Sequence, residues 1–258
     1  MLKQLKETSL ANFKVGSREY FAAQKQLILK RAPLKWCYDR WYARLLADSR
    51  SVPQKGVLLE LGSGGSYLKD LDPAVVTSDV VDGVADQTVD GRSLPFADNS
   101  IQALFLTHVL HHIPDVNAFF SEAERALVPG GVISMIEVAH TPFARFFFRN
   151  FHPEPYRDEL REWSFAQQDS MMDSNQALSW MVFVRDRAEL ERLHPRLAIE
   201  SFSWLPWFTY LLAGGVTGRC LVPKWANGIL PVFEAALRPL SPIFALHWHI
   251  CVRKKLEK

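Results

Sequence analysis

The residues best placed for chemistry in this 258-residue chain are a glycine turn with a carboxylate just before it and further carboxylates downstream. Val57-Leu58-Leu59-Glu60-Leu61 is a short apolar run with an acid near its end, followed at once by Gly62-Ser63-Gly64-Gly65-Ser66. Such a run reads as a buried parallel strand that breaks into a tight turn. Glycine lets the backbone approach a ligand closely, and free N–H groups at the start of the next helix, Tyr67–Leu71, point outward. Together they make a cradle for a nucleotide-like ligand; a tight turn without a ligand is the plainer reading. Asp79 ends a second run, Ala74–Asp79, nineteen residues beyond Glu60. That spacing suits a carboxylate accepting both hydroxyls of a ribose, against the plainer role of a turn residue.

A dinucleotide fingerprint requires a third glycine, and Tyr67 stands where it would fall. The E-x-G-x-G order of Glu60, Gly62 and Gly64 instead resembles motif I of the class I S-adenosylmethionine-dependent methyltransferases. Two later segments resemble the same family in order and spacing: Val89-Asp90-Gly91-Arg92-Ser93-Leu94-Pro95-Phe96, and Glu122 through Pro129-Gly130-Gly131. The resemblance covers about Val57 to Glu137. It implies an α/β fold: a Rossmann-like seven-stranded, mostly parallel sheet with helices on both faces. The last strand would run antiparallel between the fifth and sixth. It also implies S-adenosylmethionine as cofactor, held by Glu60, Gly62, Ser63, Gly64, Asp79 and Val80. By the same resemblance Asp90 bonds the adenine amino group and the Gly91 N–H meets the ring. The methionine amino group would reach a backbone carbonyl at the end of the fourth strand, so Thr107 and His108 border the methyl-transfer position. The chain departs from the family pattern at Ser66, and at Gln102, where an acid is usual.

A bound sulfonium is already a strong methyl donor, so the protein's tasks are to align a nucleophile, exclude water and, for a hydroxyl or carbon acceptor, remove a proton. Candidate bases are His108, Glu137, His140 and His152, with His108 first. Three histidines, His108, His111 and His112, fall within five residues. No further ligand set such as H-E-x-x-H accompanies them, so no metal is expected and His111 and His112 read as packing residues.

The elements that must position these groups follow from periodicity. Arg18–Arg31 reads as an amphipathic helix and Pro33 opens a second, with Leu34, Tyr38, Trp41, Tyr42 and Leu45 along one side. Tyr20 and Trp41 are candidates for the acceptor pocket, with core packing the plainer role. A strand at Ile101–Thr107 precedes a helix at Phe119–Leu127, stopped by Pro129-Gly130-Gly131 before a strand at Val132–Val138. Asp186–Leu193 reads as a helix capped by Asp186 and Glu189, and Leu197–Trp204 and Phe244–Val252 as the last strands. Residues 1–52 read as an N-terminal helical cap and 53–258 as the main domain, with aromatic-rich insertions at about 140–185 and 205–242. Helices are expected at Glu159–Trp163 and Asn175–Phe183 in the first insertion, and around Trp207–Leu212 and Trp225–Leu237 in the second. Trp204, Trp207, Phe208 and Tyr210 suggest a greasy pocket wall or an interfacial patch.

Composition bounds the function. The chain is 48% hydrophobic with a net charge of +2, enough for a sizeable core and too balanced for nucleic acid. Basic residues gather at the ends, at Lys3, Lys6, Lys14, Arg18, Lys25, Lys30 and Arg31 and again at Arg253, Lys254, Lys255 and Lys258. A solvated face is the default reading and peripheral contact with an anionic membrane the sharper one. Cys37, Cys220 and Cys251 form no C-x-x-C pair, and Met1–Leu10 has no apolar core, so a cytoplasmic setting is expected. The acceptor expected is a small or lipid-like molecule; a water-soluble sugar or acid stays open. A non-catalytic binding module and a nicotinamide-dependent oxidoreductase are the alternatives, and oligomeric state is not indicated.

Overall fold

The computed structural model describes residues 7–167 and 173–256, so Lys3, Lys6 and Lys258 of the basic ends lie outside the described residues. Helices α1 (Arg18–Lys30) and α2 (Ala32–Arg50) lead into β1 (Val57–Leu61), α3 (Tyr67–Leu71), β2 (Val75–Asp79), β3 (Gln87–Thr88) and β4 (Ile101–Thr107). After a 3-10 turn at Leu110–His112 come α4 (Val116–Ala126), β5 (Leu127–Val138) and α5 (Pro142–Phe151). Next are α6 (Leu178–Trp180) with a π turn to Arg185, α7 (Arg187–Leu193), β6 (Leu197–Trp204), α8 (Phe208–Ala213), α9 (Leu230–Leu237), α10 (Ser241–Phe244) and β7 (His247–Lys254).

The seven strands lie in the order β3-β2-β1-β4-β5-β7-β6. The first five are parallel, whereas β7 is antiparallel to both β5 and β6, as the resemblance implied. Side chains alternate along each strand and build two cores. Leu104, Leu106, Ile133 and Met135 join Phe119 and Phe120 of α4 on one face. Phe105, Val132, Ile136 and Cys251 join Leu34, Trp41 and Leu45 of α2 on the other. The N-terminal helices therefore complete one face of the sheet. Gln102 shows why an acid is dispensable there: its side chain donates to the Ser49 carbonyl and accepts from the Gly56 N–H, tying the end of α2 to the start of β1.

Several element readings are corrected. Glu159–Trp163 is not helical. A five-residue helix cannot meet its nucleation cost alone, and the carbonyls of Asp158 and Leu160 accept from Arg185 instead. The segment lies along residues 114–116, with Phe165 N donating to the Pro114 carbonyl. Helix α5 was not anticipated, although Thr141 caps it through the Ala144 N–H and Pro142 opens it. Asp186 precedes α7, but its carboxylate accepts from Trp163 Nε1 and Arg185 rather than the helix, and Glu189 pairs with Arg192. Helix α4 starts earlier than expected, at an Asp115 cap. The Pro129-Gly130-Gly131 turn is absorbed into β5, with Gly130 at φ +80° beside a register shift. Strand β7 starts at His247, not Phe244, which closes α10.

Candidate active site

The parallel strands bring the carboxyl ends of β1, β2, β4 and β5 to one edge. The turn after β1 is held almost entirely by backbone and short hydroxyl side chains. Ser63 N donates to the Ser78 carbonyl at 2.8 Å and Ser78 N donates to Ser63 Oγ at 3.0 Å. The hydroxyls of Ser63 and Ser78 both donate to the Glu60 carbonyl. Gly62 has φ +60°, and a Cβ there would stand 2.6 Å from a methyl of Val109, so the loop after β4 lies directly on the turn. At Gly64, φ +48°, a Cβ would meet the Phe21 ring of α1 at 3.0 Å. Helix α1 thus covers the turn while Gly62 remains exposed.

Asp79 sits at the tip of β2, buried, one oxygen accepting from Gly64 N at 3.2 Å and the other from Val81 N at 3.0 Å. Burial raises its pKa against the hydrogen bonds from Val81 and Gly64. Glu60 is 2% exposed and its Oε2 has no hydrogen-bond partner. Burial pushes its carboxyl up to about 8, with the Asp79 charge adding to the effect and Ser63 opposing it. Val80 is exposed beside them. Asp90, half-buried, is held below the usual carboxylate range by Arg92, which bonds both its oxygens, Nη2 to Oδ2 at 2.7 Å. Gly91 packs against Leu61, Phe119 and Ile113. The sequence-selected residues Glu60, Gly62, Ser63, Gly64, Asp79, Val80, Asp90 and Gly91 therefore lie on the β1–β2 side of one edge.

The β4 side differs in kind. His108 adopts φ +59° directly after Thr107, its N–H donating to the Ile136 carbonyl. Its ring stands 4.7 Å from His247 and 5.7 Å from Trp41, centroid to centroid. Tyr210 closes the group, 5.2 Å from Trp41 and 4.7 Å from His247. Trp41 is 0% and His247 4% exposed. Trp41 Nε1, His108 Nε2 and His247 Nδ1 are all buried without hydrogen-bond partners. Burial lowers the His108 pKa to about 4 and that of His247 well below its ordinary value, so both rings are neutral at neutral pH.

The other base candidates are engaged elsewhere. Glu137 is fully buried: Oε1 accepts from the N–H groups of Val109 and Leu110, and Oε2 lies 2.6 Å from His111 Nδ1. Both its oxygens thus fix the loop after β4. Burial would raise its pKa, but His111 lowers it, and burial would lower His111, which the two glutamates Glu137 and Glu154 raise to about 10. His140 stacks on Trp180 at 3.8 Å with Nδ1 at 2.6 Å from the Tyr156 hydroxyl, outside the Trp41–His108–His247 group. His152 lies against Phe148, and its Nδ1 accepts from Glu154 N. Glu154 in turn faces both His111 and His112. His247 was missed in sequence. The available signal was topological: an antiparallel strand between β5 and β6 must begin at the edge where its parallel neighbours end.

Residues 59–135 match the family model of a methyltransferase domain, and this stretch holds Glu60, Asp79, Asp90 and His108. A ubiquinone/menaquinone biosynthesis C-methyltransferase (UbiE) of Desulfotalea psychrophila is 27% identical over 106 residues, covering 39% of this chain and 41% of that protein. The chain thus spans less than half the length of this curated relative. Among solved structures, geranyl diphosphate C-methyltransferase of Streptomyces coelicolor A3(2) is 15% identical, with a TM-score of 0.49 over 96% of this chain and 88% of that one. A phosphoethanolamine N-methyltransferase 2 of Haemonchus contortus is 14% identical, with a TM-score of 0.49 over 96% of this chain and 60% of that one. The matched domain, the sheet and the glycine turn agree: residues 59–135 are similar to a methyltransferase domain, and they lie in a seven-stranded, mostly parallel sheet.

Proposed function

We propose that this chain transfers a methyl group from S-adenosylmethionine to a small, largely apolar acceptor. The observation that carries the reading is the glycine turn between two strand-end carboxylates: Asp79 accepts from the Gly64 N–H, and buried Glu60 keeps an oxygen unpartnered beside an exposed Gly62. The residues fit such a cofactor. Glu60 keeps a buried oxygen unpartnered, and Gly62 stays exposed at the turn. Asp79 would accept the ribose hydroxyls, Val80 would flank the adenine and Asp90 with the Gly91 N–H would meet its edge, Asp90 sharing its oxygens with Arg92. Glu60 and the carbonyls near Thr107 and His108 would take the amino-acid end. When bound, this cofactor supplies an electrophilic methyl group.

The chain's own groups do the rest. Trp41, Tyr210, His247 and His108 enclose the position beside Thr107 and keep water from it. Neutral His108, with Nε2 free of protein partners, holds the acceptor and takes its proton; Nδ1 of His247 and the Trp41 N–H orient it. Glu137 acts through the backbone of Val109 and Leu110 and so positions His108. His140 and His152 belong to the wall contributed by the first insertion. Incubating the protein with methyl-labelled donor and a lipid extract tests the reading: labelled product that disappears in Asp79→Ala supports it, and no transfer to extract or to water-soluble metabolites overturns it.

A finer part of the reading concerns place. Among the described residues no helix is long and apolar enough to cross a membrane. Trp225 is 79% and Val232 69% exposed, with Phe233, Ile229 and Ile243 also bare, and Lys224 and Arg238 lie on the same insertion. We place this face against an anionic membrane surface on the cytoplasmic side, from which an apolar acceptor could enter. Co-sedimentation with anionic vesicles that weakens in Trp225→Ala supports that placement, and a protein left in the supernatant refutes it.

A further inference from the structure

We propose that His111, His112 and Glu154 form a binding site for a divalent transition-metal ion of the zinc type. The further carboxylate that the sequence pattern lacks is delivered by the first insertion. Glu154 Oε2 stands 3.6 Å from His111 Nε2 and 3.5 Å from His112 Nε2. No two of the three ligand atoms are more than 4.8 Å apart. Metal bonds of about 2.1 Å at a near-tetrahedral angle set ligand atoms about 3.4 Å apart, so the carboxylate already stands at ligand distance from both rings.

The surroundings carry the inference further than the cluster alone. Each ring is held from behind through Nδ1, His111 by the Glu137 carboxylate at 2.6 Å and His112 by the Asp173 carbonyl at 3.4 Å. An imidazole that donates its Nδ1 proton to an acceptor turns the Nε2 lone pair forward, which is how metal-binding histidines are oriented. The carboxylate is oriented as well, by the Ser174 hydroxyl at 3.2 Å and by the Gln176 amide. Pro153 and Pro155 flank Glu154 and restrict its backbone, so less freedom is lost on binding. Two imidazoles and one carboxylate favour zinc, manganese or iron over magnesium or calcium, which prefer all-oxygen sites. Three protein ligands leave further coordination positions open. The His111 ring is 6.3 Å from that of His108, so the cluster borders the aromatic enclosure. The competing account is a proton shared between His111 and the two glutamates, with no ion.

The site requires neither cofactor nor methyl transfer, so it is tested without them and its failure leaves the proposed activity untouched. Full-length protein stripped with a chelator is titrated calorimetrically with zinc chloride and, separately, manganese chloride. The expected result is one ion per chain, with affinity lowered at least tenfold in His112→Ala and in Glu154→Gln. Far-UV circular dichroism should show both variants folded, and His194→Ala, on another face beside Asn117, should bind as the wild type does. Cobalt(II) should give visible ligand-field bands that both site variants lose. Absence of binding by the wild type, or affinity unmoved in the two folded site variants, overturns the site in favour of the shared proton.

Discussion

At the tips of β1 and β2 the polar contacts run mainly to backbone: Ser63 to Ser78, Gly64 to Asp79, Val81 to Asp79. At the tips of β4 and β5 and the start of β7, side chains meet side chains: Trp41 on His108, His108 on His247, His247 on Tyr210. The first region is made by residues close in sequence and spells itself out as a motif. The second is assembled from α2, the β4 loop, α8 and β7, which only the completed sheet brings together. A ligand common to a family is suited by the first kind of construction, and a ligand particular to one member by the second.

That contrast can be broken by substitution. The largest effect is expected at Asp79→Ala, which removes the carboxylate assigned to the ribose. Charge-assisted hydrogen bonds contribute about 1.5–3 kcal/mol each, so cofactor affinity measured by calorimetry should fall roughly 100-fold while acceptor binding persists. Gly62→Ala comes next. With φ +60° and a Val109 methyl 2.6 Å from the new Cβ, it should lose about 1–3 kcal/mol of stability in urea titrations. A change under half a kcal/mol would mean that the turn is looser than described.

His247→Phe probes the other region. It keeps the edge-on ring contacts and removes the unpartnered Nδ1. The acceptor KM should rise roughly tenfold, the loss of about one hydrogen bond, with cofactor affinity unchanged; equal loss of both would erase the distinction between the regions.

Glu60 gives a pH-dependent test. Its carboxyl titrates at about 8 in the folded chain against an ordinary 4.5. Between those values the native state holds a proton that the unfolded chain has released, so this group lowers stability as pH rises from about 4.5 to about 8. Glu60→Gln should flatten that decline by a few degrees in Tm, since about 1 kcal/mol moves Tm about 2–4 °C in a domain this size. The smallest effect is expected at Trp225→Ala, a bare surface residue whose loss should change stability by no more than about 0.5 kcal/mol while reducing vesicle binding.

The same contrast explains what could be read from the sequence. The β1 turn, the mostly parallel sheet and the place of the antiparallel strand follow from local apolar runs, glycines and the family resemblance they carry. The departure at Gln102 is legible only in the structure, where its side chain bridges Ser49 and Gly56. The acceptor side was harder. Trp41 could be flagged on its helix, but nothing local distinguishes His247 from other strand residues until the sheet order is known. Glu137 looked like a base because it sits at the right edge, yet its oxygens are consumed by Val109, Leu110 and His111. In the first insertion, aromatic richness hid a plain start signal at Thr141-Pro142, and the helix expected at Glu159–Trp163 lost its carbonyls to Arg185.

The central claim is that one edge of the sheet holds one adenosyl ligand independently of the aromatic enclosure. Calorimetric titration with S-adenosylhomocysteine, run in parallel on the wild type, Asp79→Ala and His247→Phe, measures it directly. The account predicts one site per chain, lost or severely weakened in Asp79→Ala and intact in His247→Phe. No heat from the wild type at millimolar ligand, or undiminished binding by Asp79→Ala, would contradict it.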